Sequence, residues 1–91
     1  MENIEKQLVE NGFEKIDGMR YYYKHIQTSF RNQEATMTVT VEYINFGWRV
    51  SMELTSAGYF PRTYGTKYIS NIEQVEQFCK SRKESISILK P

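Results

Sequence analysis

The sequence predicts an α+β fold of order α-β-β-β-α, with one antiparallel sheet, both helices packed on one face and the other face open. Two observations predict it. Two stretches near the middle of the chain alternate strictly between apolar and polar residues, the mark of strands with one dry and one wet face. A short apolar stripe at helical spacing, with its own start or stop signals, stands towards each end.

Residues 3–11 read as the first helix. Ile4 and Leu8 lie four apart on one face with Val9 beside them, and Glu2, Glu5, Lys6 and Glu10 cover the solvent side. Asn11-Gly12 supplies the left-handed stop that helices favour. Residues 13–16 form a short extended piece, and Asp17-Gly18 marks a tight turn. MRYYYKHI (19–26) is rich in aromatics and reads as a strand. Met19, Tyr21, Tyr23 and His25 share one of its faces; Arg20, Tyr22, Lys24 and Ile26 share the other, which its charges assign to water.

In ATMTVTVEY (35–43) the odd positions Ala35, Met37, Val39, Val41 and Tyr43 are apolar, and the even positions are threonines and Glu42. In WRVSMELT (48–55), Trp48, Val50, Met52 and Leu54 alternate with Arg49, Ser51, Glu53 and Thr55. Asn45, Phe46 and Gly47 join the pair as a hairpin loop. Residues 56–68, SAGYFPRTYGTKY, carry Gly58, Pro61 and Gly65 and read as a loop. Ile69 leads into the second helix. Ser70 with Glu73 forms a capping-box signature there, with Asn71 as a rival cap. Ile72, Val75, Phe78 and Cys79 are its apolar stripe, and Glu73, Glu76, Gln77 and Lys80 its solvent side.

A chain of 91 residues makes one domain, 1–91, with a single core. The net charge of +1 argues against a polyanion binder with a large basic excess and against an acidic mimic of nucleic acid. Cys79 is the sole cysteine, so no intramolecular disulfide forms and a reducing, cytoplasmic setting is expected. The start, MENIEKQLVENG, lacks the basic-then-apolar pattern of a signal peptide, and no apolar run approaches the ~18 residues of a membrane span.

No catalytic residues, cofactor or metal site are expected. A nucleophilic dyad would join Cys79 to His25, but Cys79 sits on an apolar stripe, where a free cysteine behaves as a small hydrophobe. Glu42 and Glu53 share the open face and are the conceivable acid–base pair; in the bland reading they are solvated or paired with Arg49. One His and one Cys cannot build a usual zinc site, and no phosphate-cradling glycine motif occurs.

Binding is therefore the expected activity. Tyr59, Phe60, Arg62, Tyr64 and Lys67 bring aromatic area and positive charge to one loop, the chemistry of interface anchors; its bland reading is a lid over the core. Arg20, Tyr22, Lys24 and Arg49 are assigned to the open sheet face, where bases beside an aromatic suit single-stranded nucleic acid; the bland reading is a solvated sheet face. The first surface implies a larger protein or ribonucleoprotein partner, the second an RNA or DNA partner, and neither implies a membrane.

The α-β-β-β-α order is also that of the double-stranded-RNA-binding domain. That family carries a Gly-Pro-x-His loop between its first two strands and a lysine cluster opening its second helix. Here those stretches read QTSFRNQE and SNIEQVEQ, whose acids repel phosphate, so the likeness is one of topology. In size and composition (Ile, Lys, Asn, Tyr and Phe in excess, few Ala and Pro) the chain resembles small accessory proteins of phages and mobile elements, anti-CRISPR inhibitors among them. That resemblance implies a non-catalytic inhibitor that blocks one host defence complex by binding it.

Overall fold

The computed structural model describes residues 3–30, 32–57 and 62–82, the side chains of Phe30, Arg62, Tyr64 and Arg82 excepted. In chain order the elements are α1 (Ile4–Glu10), β1 (Glu14–Lys15), β2 (Tyr21–Phe30), β3 (Gln33–Ile44), β4 (Gly47–Ser56), β5 (Arg62–Ile69) and α2 (Ile72–Arg82). The strands form one sheet in the order β1-β2-β3-β4-β5, each antiparallel to its sequence neighbour. The protein is thus an α+β fold with an open antiparallel sheet, of order α-β-β-β-β-β-α. Among the described residues no helix is long and apolar enough to cross a membrane.

The strict alternation of β3 and β4 closes into a hairpin with Val39 opposite Met52 and Val41 opposite Val50. Met37, Val39, Val41, Val50, Met52 and Leu54 all turn to the same face and are almost fully buried. Leu8 of α1 and Ile72, Val75, Phe78 and Cys79 of α2 cover them. α1 starts at Asn3, whose side chain accepts from the Glu5 amide at 2.8 Å, and the chain leaves it through Gly12 at φ +90°. At α2 the cap is Asn71, which accepts from the Gln74 amide at 2.9 Å, while the Gln74 side chain reaches back to the Ser70 amide. The rival cap prevails over the Ser70–Glu73 box. Glu76, expected in water, is buried and paired with Lys80 at 3.4 Å.

Two larger expectations also need correction. Residues 62–69 are strand rather than loop, pairing Tyr68 with Arg49 and Thr66 with Ser51. Gly65, which reads as a breaker, instead sits at φ +88° where the register with β4 shifts, a bulge that lets a strand continue past a glycine. The other correction is the facing of β2. Tyr22 lies opposite Val41, Lys24 opposite Val39 and Ile26 opposite Met37. Partners across a ladder share a face, so these residues point towards the helices, and Tyr21, Tyr23 and His25 look out over the open face.

The charges on that strand pointed the wrong way because α1 absorbs them. The Lys24 ammonium donates to the Asn11 carbonyl at 2.7 Å, at the C-terminal end of α1, where the helix dipole is negative and the helix's own last turn has no base. Its stem runs along the sheet like an apolar side chain, and Nζ stands 5.8 Å from the Phe13 ring centroid.

Candidate functional site

The groups that sequence chemistry would draw on for catalysis lie apart. Cys79 is fully buried beneath α2, and burial, helped by the Glu76 charge, pushes its thiol up to about 12. His25 is exposed on the opposite side of the sheet, with Nδ1 2.9 Å from the Thr38 hydroxyl. Glu42 accepts from Arg49 Nη2 at 2.6 Å. Glu53 faces Thr38, four positions along β3 from Glu42, a separation of ~14 Å at strand rise. That is too far for two carboxylates to act on one bond. Among the described residues no group of three or more His, Cys, Asp and Glu could hold a metal ion.

The open face carries hydroxyls more than charge. A shallow cavity of about 270 Å³ has a lining that includes Tyr21, Thr38, Thr40, Ser51, Glu53 and Thr63. Of Arg20, Tyr22, Lys24 and Arg49, assigned to this face from sequence, the register leaves only Arg49 there, held by Glu42. Lys67 lies opposite Val50 and so belongs to the helix-side face, at the outer edge. Tyr59 and Phe60 lie outside the described residues, as do the side chains of Arg62 and Tyr64. Arg20, Tyr22, Lys24 and Arg49 therefore do not form one row on the open face, where Tyr21, Tyr23 and His25 lie instead.

A different set lies at the end of the sheet that carries the β1–β2 and β3–β4 turns. Five large hydrophobic residues stand exposed among the described residues, and four of them, Ile16, Met19, Phe46 and Tyr68, lie at this end. Ile16 donates its amide to the Tyr21 carbonyl, and the Tyr43 amide donates to Arg20, so both turns project from the same edge of the ladder. Phe46 is the extreme case, 98% exposed.

Phe46 is also strained. Ile44 pairs with Gly47, leaving Asn45-Phe46 as a two-residue loop with φ of +53° and +64°. Positive φ at both central positions belongs to a type I′ turn, whose second position favours glycine. A bulky residue there is an outlier, costing about 1–2 kcal/mol. The expected three-residue loop ends one residue early because Gly47 pairs with Ile44 and belongs to β4. A Cβ at Gly47 would stand 3.1 Å from the Tyr68 ring, which lies across it.

On the helix side of the same end, Arg20 stacks 4.1 Å from the Tyr43 ring centroid and 5.1 Å from that of Trp48. Tyr43 meets Trp48 edge to face at 5.5 Å. Glu5 ties the group to α1, accepting from the Tyr22 hydroxyl at 2.8 Å and from Arg20 at 3.3 Å. Burial, together with the hydrogen bond to Glu5 and its charge, pushes the Tyr22 phenol up to about 12, against the opposing charge of Arg20. Arg20 keeps more than half of its side chain exposed. An aromatic cluster thus lies at the same end of the sheet as the exposed apolar side chains. One signal of it stands in the sequence, a phenylalanine in a tight turn, easily taken for loop filler.

Comparison with known family models, curated proteins and solved structures finds no match for this chain.

Proposed function

We propose that this chain is a non-catalytic binding protein that docks on a larger protein, or on the protein part of a ribonucleoprotein, through the sheet end formed by Ile16, Met19, Phe46 and Tyr68. Block of a host complex by occupancy, the mode of the anti-CRISPR inhibitors it resembles in size and composition, is the activity such a surface suits. One observation carries the reading: Phe46 is almost wholly exposed and held in a left-handed turn. Strain in its backbone lowers stability, and at 98% exposure the ring gains no burial among the described residues to offset it, which supports a role outside the fold. Exposed Phe46, and Tyr68 whose hydroxyl accepts from Asn45 of the same turn at 3.5 Å, have the composition of interface anchors.

Affinity capture with wild type and Phe46→Gly, side by side, tests it. A partner held by wild type and lost with Phe46→Gly, while the variant melts at the same temperature or higher, supports docking at this end. A partner held equally by both moves the search to Arg62, Tyr64 and Lys67. Binding of bare oligonucleotide that weakens steeply with salt would favour the nucleic-acid reading instead.

A further inference from the structure

Asn11-Gly12 is the single Asn-Gly pair in the chain, the dipeptide most prone to spontaneous loss of the asparagine amide. The chemistry is intramolecular. The Gly12 nitrogen, once its proton leaves, bonds to Asn11 Cγ; the Cγ–Nδ2 bond breaks and ammonia departs. Water then opens the resulting five-membered imide at either carbonyl, leaving aspartate or isoaspartate. Glycine favours the step because it has no side chain to hinder the approach.

In the fold, the groups that must move for this attack are held. Asn11 closes α1 at φ −98° and ψ 18°, which turns the Gly12 nitrogen away from the Asn11 side chain. The Gly12 amide donates to the Val9 carbonyl at 3.0 Å, so the proton of the nucleophile is engaged. Asn11 Nδ2 donates to the Gln7 carbonyl at 2.8 Å, which draws the side chain back along the helix. On either side, the Asn11 carbonyl accepts from Lys24 at 2.7 Å and the Phe13 amide donates to the Leu8 carbonyl at 2.9 Å. Rotation of the Asn11–Gly12 peptide into the attacking geometry breaks several of these bonds at once.

The bonds last only as long as α1 does. Its seven residues are too few to hold a helix by themselves. Burial of Ile4 and Leu8, the Asn3 cap, and the bonds of Glu5 to Tyr22 and Arg20 keep it in place. Local opening of such an end element needs less free energy than unfolding of the sheet.

We propose that Asn11 is a modification site gated by α1, protected from deamidation while the helix is docked and converted when it opens. Conversion is one-way. Aspartate at this position has no amide to donate to Gln7, and it places a negative charge at the negative end of the helix dipole. Isoaspartate also adds a methylene to the main chain between residues 11 and 12, ahead of the bonds made by Gly12 and Phe13. Each product thus favours the open helix and records that it has opened. Deamidation here is independent of the docking function proposed above.

Peptide mapping by mass spectrometry, on the full chain held at neutral pH below its melting temperature, follows the conversion of Asn11 with time. Wild type unfolded in urea is expected to convert at least tenfold faster than folded wild type. Asn3→Ala removes the cap and is expected to speed conversion about threefold or more, whereas Asn3→Asp keeps a capping acceptor and the slow rate. Leu54→Val loosens the sheet core and leaves α1 intact, so it is expected to convert like wild type. Folded wild type converting as fast as the unfolded chain overturns the proposal. So does Asn3→Ala converting no faster than wild type, or Leu54→Val converting as fast as Asn3→Ala, which would make global unfolding the gate.

Discussion

Phe46, Cys79 and Tyr22 show how single residues divide between folding and use. Phe46 contributes nothing to the core and occupies a backbone region that disfavours it. Phe46→Gly should stabilise the protein by about 1 kcal/mol, raising the melting temperature by several degrees in a domain of this size. Differential scanning calorimetry checks it; a drop in melting temperature would mean that the ring supports the fold. Cys79 and Tyr22 act in the opposite sense. Both hold their protons more tightly in the fold than in the unfolded chain, the thiol moving from 9.0 and the phenol from 10.0 to about 12. Below pH ~9 their contribution to stability is complete. As pH rises towards 12 the unfolded chain loses those protons first, so stability falls. Denaturant midpoints measured from pH 8 to 11 should therefore decline. Cys79→Ala and Tyr22→Phe should each make that decline shallower, even though each lowers stability at pH 7 by loss of packing or of the bond to Glu5.

At the scale of elements, the hairpin of β3 and β4 dictates the sheet. Its period of two was legible in sequence because the odd residues of β3 from Ala35 to Val41 and the even residues of β4 from Val50 to Leu54 enter one core. Val39→Asp buries an unpaired charge there and should cost several kcal/mol, most of what a small domain has. Thr36→Asp, on the open face between Gln27 and Thr55, should leave the melting temperature nearly unchanged. Equal effects of the two would contradict the facing of the sheet. The facing of β2 was not legible, since Lys24 and Arg20 look like solvent-facing charges until α1 is placed where its C-terminal carbonyl and Glu5 receive them. β5 was missed because a glycine in a short strand gives the same signal whether it ends the strand or bulges it.

For the molecule as described, the helices cover one face of the sheet, and among the described residues the hydroxyl-rich open face and the aromatic end stand exposed. Neither an alternating pattern nor composition could disclose that end, because Ile16, Met19, Phe46 and Tyr68 lie on different segments and come to the same end of the sheet only when the strands are in register. The sequence placed anchors at Tyr59, Phe60, Arg62 and Tyr64; the described structure gathers exposed apolar residues elsewhere. Capture of an interacting protein by immobilised wild type and by immobilised Phe46→Gly, at equal folded content, is the most direct test of docking at this end. Docking through Phe46 predicts that the partner's retention falls at least tenfold on a variant no less stable than wild type. Undiminished retention on Phe46→Gly would contradict it.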